Sequence, residues 1–183
     1  MSKITVTKCH IEGLYVIEPS VFGDERGYFM ETYNQNDFKE EGLDMVFVQD
    51  NQSMSTKNVL RGLHFQINHP QGKLVRVVRG SVFDVAVDMR KGSETYGQWF
   101  GVELTAENKK QFYVSEGFAH GFLVLSDEAE FAYKCTDFYQ PNDESGVKWN
   151  DPDIGIQWPV EDLTNLNISE KDQLWSGIRD IKR

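Results

Sequence analysis

The sequence predicts an all-β chain folded as an antiparallel sandwich or barrel, with a few short helices that lie mainly near the C-terminus. Two observations carry this. Short runs of alternating or β-branched residues recur at near-regular spacing over residues 4–136, and turns rich in glycine, Asn or Asp separate them. After Pro141 the pattern changes to a stretch rich in Asp, Pro and Trp, which reads as ordered loop.

Residues 4–16 alternate loosely between apolar and polar, and Gly13 interrupts them, so two short strands or one bulged strand is expected. The glycines and acids of residues 22–27 form a turn that delivers residues 28–31 into a strand. Residues 34–42 are the helix expected in the first half, closing on Gly42 as its C-cap. Strands are expected at 45–50 and 59–65, followed by a loop over 68–72. The basic, β-branched run 73–79 turns at Gly80-Ser81 into 82–88, a spacing that predicts a hairpin. Further strands are expected at 98–104, 111–114, 120–125 and 130–136. Residues 146–158 read as ordered loop, and 169–175 as a short helix capped by Ser169.

A chain of 183 residues with 39% hydrophobic and 13% aromatic content can bury a sizeable core without metal or disulfide staples, so a single domain over 1–183 is expected. The apolar runs are short and interrupted, as at Asp84 within 82–87, and the N-terminus lacks a signal-peptide pattern. A soluble, cytoplasmic protein without membrane association is the expectation. Cys9 and Cys135 lie far apart with no CxxC pair, which argues against a disulfide framework and a thiolate zinc site. The net charge of −10 disfavours nucleic acid as a partner, because such binding rests on clustered cations. An anionic ligand must therefore meet a local group of Lys and Arg.

The chemistry is expected at Leu60-Arg61-Gly62-Leu63-His64-Phe65-Gln66. In an extended strand His64 and Gln66 share one face while Leu63 and Phe65 take the other. Histidine suits proton transfer near neutral pH, and Arg suits a phosphate held by paired hydrogen bonds. On this stretch alone, a half-buried structural histidine fits as well. His120, between Gly117 and Gly121, is a second strand histidine, and two of them raise a metal site. Gln66 stands where a His-x-His pair would need its second ligand, and His10 and His69 lie in terminal and loop contexts. No metal is expected, and His120 reads as a hydrogen-bonding or phosphate-contacting group. Asp84 and Asp88 share a strand face and read as structural.

Eight segments in collinear order over residues 19–172 carry a resemblance: residues 22–27, 47–51, 60–66, 71–73, 83–88, 117–122, 149–151 and 169–172. Together they resemble the dTDP-4-dehydrorhamnose 3,5-epimerase family. The resemblance implies a cupin-like jelly roll, a homodimer, no cofactor, and a thymidine-diphosphate 4-keto-6-deoxy sugar as substrate. It also implies roles: His64 as base, Lys73 as the cation at the C4 oxygen, Tyr133 as the acid on the opposite face, and Asp172 as the partner that orients His64. Epimerisation beside a ketone needs that set, since a C–H proton must leave, the enolate must be held, and a proton must return to the other face. Taken alone, Lys73 reads as a solvated strand residue, Tyr133 as a core aromatic and Asp172 as part of a capping box with Ser169.

For the nucleotide-sugar, the resemblance implies contacts from the cations Arg26, Arg61, Lys73 and Lys171, and from Glu31, Gln49, Asp50, Asn51, His120 and Glu144. Phe22 and Tyr139 are candidates for stacking on the base. Three rivals stand beside the 3,5-epimerase reading: an enzyme that inverts a single carbon, a non-catalytic jelly roll that binds the sugar nucleotide, and a metal-dependent cupin oxygenase.

Overall fold

A computed structural model describes residues 3–160 and 162–181. The strands are β1 (Ile4–Lys8), β2 (Leu14–Pro19), β3 (Val21–Asp24), β4 (Gly27–Met30), β5 (Gln49–Thr56), β6 (Val59–Gln66) and β7 (Lys73–Arg79). They continue as β8 (Ser81–Asp88), β9 (Trp99–Thr105), β10 (Gln111–Val114), β11 (Phe118–Val124), β12 (Glu128–Cys135), β13 (Glu144–Gly146) and β14 (Asn167–Ile168). Helix α1 (Gln35–Glu40) is capped by the Asn34 side chain, and α2 (Glu170–Gln173) by Ser169. One sheet runs β1-β2-β10-β7-β12-β5 and a second β13-β6-β11-β8-β9, with β14 parallel to β6 and the β3–β4 hairpin apart. This is the cupin-like jelly roll that the resemblance implies.

Strand alternation sorts the side chains into three layers. Between the sheets lie Val75 and Val77 of β7, Val82 and Ala86 of β8, Phe122 of β11 and Phe131 of β12, with Phe112 and Leu104. Behind the second sheet, Leu60, Leu63, Val85, Val87 and Leu123 pack under the C-terminal segment through Trp158 and Ile178. Behind the first sheet, α1 and the chain after it cover Ile17, Leu74 and Tyr113 with Phe38, Leu43 and Met45. Fully buried rings such as Phe112 and Phe131 contribute about 2–3 kcal/mol each by leaving water. No helix among the described residues is long and apolar enough to cross a membrane.

Two expectations from the sequence fail. Strands β7 and β8 are not a hairpin: β7 pairs with β10 and β12, β8 with β9 and β11. Gly80 takes a positive φ of 76° and turns the chain from one sheet to the other, where a Cβ would collide with the Glu128 carbonyl. Both strands then feed the same inner layer, so a corner between sheets mimics a hairpin in sequence. The strand expected at 45–50 instead begins at Gln49 and runs to Thr56. Met45 and Phe47 are apolar because they anchor the layer beneath α1. Strand β5 is polar because it is an edge with one face toward solvent.

Candidate active site

The site is built on a register slip in β6. Against β11, Arg61 pairs with Phe122 and His64 with His120, so Gly62 and Leu63 together face Gly121 alone. Gly62 has φ of 119°, and a Cβ there would lie 2.8 Å from Gly121 Cα and from the His120 carbonyl oxygen. Strict alternation would put Arg61 and His64, three apart, on opposite faces. The extra residue brings both into one pocket, while Leu60, Leu63 and Phe65 stay in the layer behind the sheet.

That pocket, of about 300 Å3, lies toward one end of the space between the sheets and is lined by both histidines. Asp172 is buried on α2 and reaches His64, whose Nε2 lies 2.6 Å from Asp172 Oδ1. Oδ2 accepts the Gly62 N–H at 3.2 Å, and the Trp175 indole N–H reaches Oδ1 at 3.3 Å. Burial opposes ionisation of Asp172, but the His64 contact and these donors outweigh it and hold the carboxyl below its ordinary range. A carboxylate only accepts, so His64 Nε2 carries the proton and Nδ1 is left as the basic nitrogen.

A second pair stands across the strand. His120 Nε2 lies 2.8 Å from Oδ1 of Asp84, which is fully buried, and Asp84 Oδ2 has no hydrogen-bond partner among the described residues. Burial raises the Asp84 carboxyl, only partly offset by His120 and Lys73. Asp84 is thus tied to the pocket through His120, unlike its strand neighbour Asp88. The latter accepts from Arg90, Ser93 and Thr95 and clamps the loop after β8. Both carboxyls keep the structural character expected from the sequence, but only Asp84 is in contact with a residue that lines the pocket.

Lys73 opens β7 and lines the pocket, and no hydrogen bond or ion pair engages its ammonium among the described residues. Desolvation lowers its pKa, partly countered by Cys135, Asp84 and Glu144. Tyr133 of β12, the neighbour of β7 in the first sheet, lines the pocket on the side away from the His64 strand, and burial raises its phenol, which keeps it a proton donor at neutral pH. Arg61 donates through Nε to Ser55 Oγ at 3.0 Å, which leaves the terminal nitrogens of its fork for a ligand. Gln49 and Asn51 bond each other on the inner face of β5, and Gln49 Oε1 accepts the Tyr139 N–H. Glu144 accepts from the Tyr139 hydroxyl at 3.1 Å and from Lys171 Nζ at 2.8 Å, so this wall arrives partly assembled.

Not every residue read from the sequence converges. Asp50 points to the outer face of β5, paired with Lys134 at 2.8 Å. Phe22, Arg26 and Glu31 are on or beside the β3–β4 hairpin and do not line the pocket of their own chain. Arg26 pairs with Asp24, and Glu31 with Lys3. Gln66 donates its amide to the His69 and Phe138 carbonyls and accepts from Gln140 N–H, a structural commitment that ties the neighbouring loops. Sequence reasoning also passed over Gln71, which lines the pocket, and Trp175.

The family model described as dTDP-4-dehydrorhamnose 3,5-epimerase matches residues 8–180. The chain belongs to this family. Among dTDP-4-dehydrorhamnose 3,5-epimerases, that of Methanothermobacter thermautotrophicus is 58% identical over 180 residues, covering 98% of this chain and 97% of the relative. The crystal structure of the dTDP-6-deoxy-D-glucose-3,5-epimerase from Legionella pneumophila Philadelphia 1, in complex with dTDP-4-keto-L-rhamnose, is similar with TM-score 0.94 and 48% identity. It covers 98% of this chain and 95% of that one. The 3'-monoepimerase ChmJ from Streptomyces bikiniensis, in complex with dTDP-quinovose, is also similar, with TM-score 0.87 and 35% identity over 93% of this chain and 86% of that one. The jelly roll of the dTDP-4-dehydrorhamnose 3,5-epimerase family is thus paired here with a pocket that holds a histidine on a carboxylate, an ammonium with no partner among the described residues, and a half-buried phenol.

Proposed function

We propose that this isomerase converts dTDP-4-dehydro-6-deoxy-D-glucose to dTDP-4-dehydro-L-rhamnose by inverting C3 and then C5, a step of dTDP-L-rhamnose biosynthesis. The observation that carries the mechanism is the Lys73 ammonium, without a partner among the described residues, in the same pocket as the His64–Asp172 pair and Tyr133. His64 Nδ1 takes the C–H proton beside the ketone, and Asp172 stabilises the imidazolium that forms. Electron density moves to the C4 oxygen, where the desolvated Lys73 ammonium holds the enolate. Tyr133 returns a proton to the opposite face, and before each further inversion solvent takes the proton from the His64 imidazolium and returns one to the Tyr133 phenolate. The Arg61 fork binds the diphosphate, and the pre-bonded Gln49, Asn51, Tyr139, Glu144 and Lys171 wall meets the rest of the nucleotide-sugar.

Arg26, Glu31 and Phe22 enter this reading through a second copy. Phe22 is 59%, Tyr28 60% and Phe29 66% exposed on the β3–β4 hairpin, more aromatic surface than one hairpin ordinarily leaves in water. A homodimer in which each hairpin covers its partner's pocket would bury that surface and deliver the three residues. Sedimentation at the mass of one chain would overturn it. We place the enzyme in the cytoplasm with the biosynthetic role of the family, and recovery in a membrane fraction would contradict that.

Proton NMR of the keto sugar with the enzyme in deuterated water tests the reaction. Solvent deuterium enters C3 and C5 with inversion at both carbons. The likeness to a 3'-monoepimerase supports one alternative, which predicts inversion at C3 only. Binding of thymidine diphosphate without any exchange would leave a non-catalytic jelly roll.

A further inference from the structure

The four tryptophans divide three to one. Trp99, Trp149 and Trp158 pack in or against the layer behind the second sheet, whereas Trp175 belongs to none of the buried layers. It sits on the base instead. Its ring meets the His64 imidazole edge-on, with centroids 6.2 Å apart and planes at 71°. The indole N–H points to Asp172 Oδ1, the same oxygen that His64 Nε2 uses. The indole also rests on Gly146, where a Cβ would lie 2.5 Å from its ring carbons, and Gly146 is the register partner of His64 on β13. A backbone bond from Lys148 N–H to the Ser176 carbonyl fixes the chain beside it at 3.0 Å.

We propose that Trp175 is a positioning residue that sets the pH range in which His64 takes protons, by sharing Asp172 Oδ1 with it and walling the imidazole from the side of β13. The inference rests on the reading of His64 as base. A donor that shares a carboxylate oxygen spreads its negative charge, so the carboxylate grips the imidazolium less and His64 releases its proton more readily. The other charged or titratable groups around the pair are Arg61 on the His64 strand, His120 on β11, Glu144 on β13, Lys171 on α2 beside Asp172, and Lys73, Tyr133 and Tyr139 around the pocket. None of these reaches Asp172 Oδ1 by a hydrogen bond.

Trp175→Phe keeps an aromatic ring beside His64 and removes the N–H together with one ring of the indole. The acid limb of kcat/KM moves to higher pH by roughly half a unit, the size expected for one shared hydrogen bond to a carboxylate. Affinity for thymidine diphosphate stays at the parent value. Gly146→Ala, which pushes the indole off its seat, moves the limb the same way and decides the matter should Trp175→Phe not fold. The pH dependence of the His64 ring signal in nitrogen-15 NMR, read without substrate, follows the same shift. Superimposable profiles, or a shift to lower pH, overturn the proposal. A parent enzyme that shows no turnover, while the ring signal still shifts between parent and Trp175→Phe, instead overturns the epimerase reading and leaves the positioning role standing.

Discussion

Two His–Asp pairs face the same pocket from neighbouring strands, and their carboxylates are supported very differently. Asp172 has donors on both oxygens, from His64, Gly62 and Trp175, and its carboxyl is lowered. Among the described residues Asp84 has a hydrogen bond from His120 alone and one oxygen without a partner, and its carboxyl is raised. A carboxylate with donors on both oxygens can hold an imidazolium. A starved one competes for the proton itself, so that the His120–Asp84 contact is open to either donor direction. In the proposed mechanism the difference separates a base from a polar floor, although the two pairs are close in distance, at 2.6 and 2.8 Å.

Removing the charge from each pair breaks the comparison most sharply. Asp172→Asn leaves the shape but no longer fixes the His64 tautomer, and kcat/KM falls by about 100-fold, as for other histidine-orienting carboxylates. The nucleotide-binding wall is untouched, so thymidine diphosphate binds as in the parent. Asp84→Asn costs less than about tenfold, because Asp84 serves no proton-transfer role. Steady-state kinetics on the two variants reads the contrast, and equal losses would erase it.

Stability sharpens the same point through a third buried carboxylate. Burial opposes the ionisation of Asp88, but Arg90, Ser93 and Thr95 overcome it and lower its pKa to about 2. Its stabilisation is complete above the ordinary carboxyl range near pH 4 and fades as pH falls toward 2. Asp84 runs the other way. With its carboxyl raised, the native state binds the extra proton, and its contribution declines as pH climbs above that ordinary range. At neutral pH, Asp88→Asn therefore loses about 3 kcal/mol, whereas Asp84→Asn gains about 1 kcal/mol by removing a charge with too few partners. Urea unfolding at pH 7 and pH 5 checks both signs, and destabilisation by Asp84→Asn would refute the account of that pair.

Much of this was legible in the sequence. Alternation and turns yield the sandwich, Ser169 reads as a cap and caps α2, and Asn34 opens a helix where one was expected. What local pattern could not show was which strands are neighbours. The Gly80 corner reads like a hairpin, because a tight turn between β-branched runs has the same composition whether the chain returns in its own sheet or crosses to another. The edge strand β5 was misplaced because its polar residues lack an apolar alternation. The one-residue slip at Gly62 is invisible to a strict period of two, although it lets Arg61 and His64 meet. Trp175 was missed because a tryptophan three residues after Asp172 carries no signal until α2 is seen beside β6.

In the proposed mechanism only one of the two histidines is the base, and position-resolved deuterium incorporation shows which. The keto sugar is incubated in deuterated water with His64→Asn and, separately, with His120→Asn. The account predicts no exchange at C3 or C5 in His64→Asn, a loss on the order of 10³-fold or more for removing a general base, and exchange at both carbons in His120→Asn at reduced rate. Exchange that persists in His64→Asn and vanishes in His120→Asn would transfer the base to the other pair and contradict the account.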